Sequence, residues 1–192
     1  MKILVIDCET GGFDPSDSSL LSIAGVCLDT IESSIVPCFD LLVREPVLKV
    51  LPEAIKFNKI NLNNIIEHGQ EPKDIVDQIQ NSLYEHFREQ RIKSEPIALG
   101  GHNVWYDAAF LRKMYRYANK NFDKDFLRRH VDTASMLAFL MISRKILEEP
   151  VSSDHLFKVA GIKIPKNKRH TAMGDAYATA QAIIVLSEMN KK

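Results

Sequence analysis

The sequence predicts an α/β fold with a mixed central β-sheet flanked by α-helices. Three strand-like segments lead the chain, and helical and extended segments alternate after them. No apolar run is long enough to span a bilayer, so the apolar segments are read as core. Residues 2–7 form a buried strand by composition, and 20–28 and 35–43 are two more, each rich in branched residues. The stretch 11–19 between the first two holds two Gly, a Pro and several Ser and Asp, so it is a loop. Short helices are expected at 52–58 and 61–68, the second stopped by Gly69. A longer amphipathic helix over 72–90 follows from Ile75, Ile79, Leu83 and Phe87, which recur every four residues. Residues 97–99 make a strand that ends at Gly100-Gly101. A helix over 107–119 carries Phe110, Leu111, Met114 and Tyr117 on one side. After an extended piece at 130–132 come helices over 134–142, 153–160 (closed by Gly161) and 174–188. The last of these buries Ala176, Ala180, Ile183 and Ile184.

The 192 residues suit one domain, 1–192, with no repeat or linker in view. Apolar residues make up 45% and charged residues 26%, a globular composition. The apolar start that runs into Asp7 is too short for a secretory signal. Cys8, Cys27 and Cys38 lack metal-ligand spacing, and an odd number of scattered thiols suits a cytoplasmic location. Lys plus Arg equals Asp plus Glu, 25 each, so the chain is neutral. Proteins that grip long duplexes through many phosphates are usually basic. Neutrality leaves room for a short contact made through a metal site and a few local cations.

Three segments carry chemistry. In Asp7-Cys8-Glu9-Thr10-Gly11-Gly12, strand alternation puts Asp7 and Glu9 on one face. Two carboxylates so close call for a cation, and hard oxygen ligands suit Mg²⁺ or Mn²⁺. Composition alone yields roughly three acid-x-acid pairs. What singles out this one is its delivery by an apolar strand and the Thr10-Gly11-Gly12 turn, whose backbone is expected to lie open to a ligand. The second segment is Gly101-His102-Asn103-Val104-Trp105-Tyr106-Asp107. Alone, it also reads as a turn former, Asn103, before a helix-capping Asp107. The third is His170-Thr171-Ala172-Met173-Gly174-Asp175, after the cations Lys163, Lys166, Lys168 and Arg169. Alone, it also reads as a solvated loop leading into a helix whose dipole Asp175 complements.

Taken together and in this order, the three segments resemble the DnaQ-like (DEDDh) 3′→5′ exonucleases. The resemblance spans nearly the whole chain. Within that family it is nearest the ribonuclease T branch, through Gly12-Phe13 and the pattern Pro52-Glu53-Ala54, Phe57-Asn58 and Ile60. It implies an RNase H-like fold and catalytic residues Asp7, Glu9, Asp107, His170 and Asp175. Two Mg²⁺ or Mn²⁺ ions would be held by Asp7, Glu9, Asp107 and Asp175, with His170 as general base. Phe13, Phe57 and Tyr106 match positions that stack on bases, for which the alternative is core packing. The fourth such position falls near Arg128. Thr10, Gly11, Glu53, Asn103 and Asp132 complete the expected substrate contacts, and Asp132 matches a further acid common in the family. Leu21 and Ile23 are pocket candidates that also suit a core. Lys166, Lys168 and Arg169 are candidate phosphate contacts.

The implied partner is a nucleic acid with a single-stranded 3′ end, RNA or DNA, and the implied product a nucleoside 5′-monophosphate. The resemblance leaves a homodimer open. The rivals are a proofreading or repair DNA exonuclease tied to a polymerase, a catalytically silent nucleic-acid-binding module, and a small-molecule phosphoesterase.

Overall fold

The computed structural model describes residues 1–58, 60–147 and 149–189, with Phe57 by its backbone alone. Its centre is the expected mixed sheet. Strands β1 (Lys2–Thr10), β2 (Leu20–Asp29) and β3 (Ser34–Leu42) run antiparallel, while β4 (Ala98–Gly101) and β5 (Val131–Asp132) add in parallel on the other side of β1. The order β3-β2-β1-β4-β5 places β1 in the middle.

Side-chain alternation along β1 decides which helix meets which face. Leu4 and Ile6 join Ile75, Ile79 and Leu83 of α3 (Pro72–His86) and Val104, Phe110 and Leu111 of α5 (Val104–Tyr117) in the main core. Ile3 and Val5 point the other way, onto Ala180 and Ile183 of α8 (Ala172–Met189). Helices α6 (Thr133–Ile142) and α7 (Ser153–Ala160) pack on the outer side of α8 through Leu137, Leu140, Leu156 and Phe157. Two short helices, α1 (Pro52–Asn58) and α2 (Leu62–His68), lie where expected, and Gly69 caps the second. No helix among the described residues is long and apolar enough to cross a membrane.

Most ends shift by a residue or two, and three larger differences from expectation each have a local reason. β1 continues through Glu9 because its ladder with β2 continues, Asp7 facing Ala24 and Glu9 facing Ser22. The helix expected over 72–90 breaks at Phe87, which is fully buried, and resumes as α4 (Arg88–Ile92). Burying such a side chain stabilises by about 1.5–3 kcal/mol, so the break is held by packing. α5 begins three residues before Asp107, after Asn103 in the left-handed region at φ 54. Asp107 therefore sits in the first turn of α5 rather than capping it.

Candidate active site

β1 runs from the core into the site. Asp7 and Glu9 share the face that α8 covers, and Asp175 enters from the first turn of α8. One carboxylate oxygen from each of these three residues lies within 4.8 Å of the others. The register slips between Glu9 and Thr10, so the ladder with β2 is interrupted just beyond the acidic pair. Asp107 arrives on the opposite face with α5. Its carboxylate accepts hydrogen bonds from the Cys8 thiol and backbone N–H. Of the four expected acids, Asp7, Glu9 and Asp175 form the tight group, and Asp107 approaches across the edge of β1, close enough to be the leading charge on Asp7. The cause is strand alternation: residue 8, not 7 or 9, faces α5.

The electrostatics record the crowding. Burial pushes Asp7 well above the usual carboxylate range, and repulsion from Asp107, Glu9 and Asp175 pushes it further. Burial and the charges of Asp175 and Asp107 raise Glu9 from 4.5 to about 7. Burial raises Asp107 to about 7 against the pull of the Cys8 hydrogen bonds. Asp175 is also raised by burial, less so because Arg169 stands beside it. Among the described residues, the buried Asp175 Oδ1 atom has no hydrogen-bond partner. An all-oxygen donor set, mutual repulsion and an orphaned buried carboxylate oxygen together fit a divalent cation.

Arg169 bonds Asp175 through Nη1, and through Nη2 it bonds Asp154 at 2.7 Å and Ser153 at 2.9 Å. Its guanidinium also lies over the Phe157 ring. Among the cations expected to reach phosphate, Arg169 is therefore spent inside the protein. His170 follows it, two residues before α8, with its backbone in the left-handed region at φ 61. Its N–H donates to the Asp175 carboxylate, and its ring acts electrostatically on Asp175 and Asp154. The His170 loop is clasped against the helix: a Cβ at Gly174 would collide with the Lys168 carbonyl oxygen.

Beside the acids opens a cleft of about 420 Å³ whose lining includes Glu9, Thr10, Phe13, Glu53, Asn58 and Tyr106. Phe13 is 88% exposed, which excludes the core alternative for its ring. The Tyr106 hydroxyl bonds Thr10 Oγ1 at 2.7 Å and the Gly12 carbonyl at 2.8 Å, tying α5 to the end of β1. Asn58 donates to the Thr10 carbonyl at 3.1 Å. Gly11 does not present open backbone: its N–H bonds Ser19 and its carbonyl bonds Leu51. Its lack of a side chain serves close packing, since a Cβ there would strike the Lys49 carbonyl oxygen. Asp132 caps α6 by accepting from Ala134 and Ser135, and it also accepts from the Asn103 N–H at 2.7 Å. It thereby holds the exposed Asn103 at the head of α5. Leu21 and Ile23 are fully buried core. The ring of Phe57 lies outside the described residues.

Sequence reading missed three contributors. In the sequence Cys8 reads only as a scattered thiol. Arg169 reads as a solvated loop cation and candidate phosphate contact. Lys113 is buried and pairs with the buried Glu45 at 2.7 Å while donating to the Ser18 carbonyl at 2.6 Å, which pins the 11–19 loop to α5. A signal for Lys113 existed: it interrupts the apolar stripe of Phe110 and Met114.

Comparison with known proteins agrees with this geometry. The RNase_T exonuclease family matches residues 4–183. Ribonuclease T of Wigglesworthia glossinidia brevipalpis is 25% identical over 193 residues, covering 98% of this chain and 86% of that protein. A DNA polymerase III subunit epsilon-like protein of Rhodobacter capsulatus is 38% identical over 93 residues, 48% of this chain and 12% of that one. Among solved structures, E. coli exonuclease I in complex with a dT13 oligonucleotide superposes with a TM-score of 0.76 at 18% identity. The match covers 99% of this chain but 42% of that larger one. The likeness to exonuclease I establishes the RNase H-like fold, and the family match establishes the rest: the chain belongs to the RNase_T exonuclease family and is a DnaQ-like, divalent-metal-dependent 3′→5′ exonuclease.

Proposed function

We propose that residues 1–192 form a single exonuclease domain that removes nucleoside 5′-monophosphates from single-stranded 3′ ends of RNA or DNA. The observation that carries this reading is the gathering of Asp7, Glu9 and Asp175 oxygens within 4.8 Å. They stand beside a cleft that holds the exposed Phe13. Asp7, Glu9, Asp107 and Asp175 are assigned to hold two Mg²⁺ or Mn²⁺ ions. When bound, these supply Lewis-acid activation of a water and stabilisation of the leaving 3′ oxygen. His170 accepts the proton of the attacking water; imidazole titrates nearest neutrality of the common side chains. The water oxygen bonds to phosphorus as the bond to the 3′ oxygen breaks, which leaves a 5′-monophosphate and a new 3′-hydroxyl.

Phe13, Phe57 and Tyr106 are assigned to the terminal bases, with Thr10, Glu53 and Asn103 as polar contacts. Gly11 and Asp132 support these residues from behind. The relatives' names point to RNA for ribonuclease T and to DNA for the epsilon-like protein, so both strands are retained as substrates. A homodimer and a cytoplasmic location are part of the proposal; sedimentation velocity tests the first. The deciding experiment digests matched RNA and DNA strands, labelled at the 3′ or the 5′ end, with Mg²⁺ or EDTA. The 3′ label is expected to leave first, as a mononucleotide, and only with Mg²⁺. Internal cuts, or cutting that survives EDTA, would overturn the reading.

A further inference from the structure

Next to the active-site cleft, past the turn at Asp14, lies a second groove of about 390 Å³. Its lining includes Asp14, Trp105, Arg112, Arg116 and His130. We propose that this groove carries the nucleotides immediately 5′ of the scissile one, with Trp105 as their stacking platform and Arg112 and Arg116 as phosphate contacts. The inference rests on the exonuclease reading, because it extends the strand seated in that cleft.

The geometry points there for four reasons. Trp105 is 66% exposed in the first turn of α5, so its ring is not holding the core. It neighbours Tyr106, which lines the active-site cleft, and the two ring centroids are 6.2 Å apart. Their planes stand at 87°, so a strand that passes from one ring to the other turns between them. Residues 105, 112 and 116 fall on one face of α5, so the ring and the two guanidinium groups form a line leading away from the acids. The charge is suitable: Arg112 is steadied over the Phe122 ring at 4.1 Å and by Asp123 at 3.0 Å. Arg116 is exposed, and no hydrogen bond or ion pair engages its guanidinium among the described residues. The carboxylate of Asp14 is occupied by the Ser16 N–H and hydroxyl, each at 2.8 Å. The whole chain is neutral, so this basic line is a local feature and not a consequence of overall charge. An exposed aromatic flanked by cations is the arrangement that binds single strands with little regard to sequence.

Trp105 is the only tryptophan in the chain, which makes its emission a direct probe. The experiment mixes wild-type protein with Mg²⁺ and either a 5′-mononucleotide or a strand of about eight nucleotides. Emission and product release are followed together. The strand is expected to quench Trp105 at once, whereas the mononucleotide, held beside Phe13 and Tyr106, leaves it unchanged. Trp105→Ala should weaken strand binding about tenfold. Arg116→Ala should weaken it less, while lowering the slope of log affinity against log salt by about one. A strand that is cut without altering Trp105 emission overturns the groove and leaves the exonuclease reading standing. A strand that quenches Trp105 but is not cut overturns the exonuclease reading and, with it, the groove's place beside a scissile nucleotide. A strand that does neither overturns both.

Discussion

Glu9→Gln tests the electrostatic account of the site most directly, because it should abolish turnover and yet strengthen the ion-free fold. In the folded protein the Glu9 carboxyl is raised from 4.5 to about 7, mainly by burial and then by Asp175 and Asp107. At 1.36 kcal/mol per tenfold change in acidity, keeping Glu9 ionised in the folded state costs about 3 kcal/mol. The sign follows from the direction of the shift. Below 4.5 the group is protonated in both folded and unfolded chains and costs nothing. Between 4.5 and about 7 the unfolded chain has shed the proton while the folded one still holds it, so stability falls across that window and levels off above it. Glutamine keeps the shape without the charge. In EDTA at about pH 8 the variant is therefore expected to be about 2–3 kcal/mol more stable, which is about 4–12 °C in melting temperature for a chain of this size. Near pH 4 the advantage should vanish. Mg²⁺ should narrow or reverse the gap, since the wild type alone gains fully from the ion, about 2.7 kcal/mol at a hundredfold excess over Kd. Thermal melts of both proteins at the two pH values, with EDTA or Mg²⁺, read all of this. A variant that melts below wild type in EDTA at the higher pH would refute the reasoning. So would a gain that is the same at both pH values.

Three more outcomes follow from the same geometry. His170→Ala should retain Mn²⁺ binding by calorimetry while losing most of its turnover, and Asp7→Ala should lose both; equal affinity in the two variants would contradict their assigned roles. Because Glu9 and Asp107 both sit at about 7 and Asp7 is raised well above its usual range, Mg²⁺ binding at neutral pH should expel at least one proton, and affinity should climb from pH 6 to pH 8. Titration calorimetry in two buffers of different ionisation enthalpy measures the proton count. Lys113→Met leaves Glu45 buried and unpaired, which should cost about 3–5 kcal/mol in urea unfolding, whereas Lys113→Met with Glu45→Gln should recover most of the loss.

Much of this molecule could be read from its residues, and what escaped did so for identifiable reasons. The strands at 20–29 and 34–42 and the closing helix stand out because their apolar pattern is set by burial against one sheet. The acids of β1 were legible as a pair because strand alternation is a local rule. The position of Asp107 was not, because it depends on which face of β1 the helix α5 covers, a long-range fact that no window of sequence contains. The break at Phe87 was hidden by a four-residue apolar period that continues through it. Arg169 was placed outside since arginine beside histidine in a Lys-rich loop looks solvated. Only the fold shows that Asp154, from α7, comes round to meet it.

The alternation along β1 also sets where this protein tolerates change. Asp7 and Glu9 face α8 while Cys8 faces α5, so inserting or deleting one residue between Ile3 and Asp7 would turn both acids into the greasy side of the sheet and bring the thiol out in their place. The stretches that separate β1 from α5 and α5 from α8 carry no such parity. An engineer who lengthens the chain at the exposed segment near Arg144 alters only the path between anchors. One who touches the first nine residues by a single step rebuilds the site inside out.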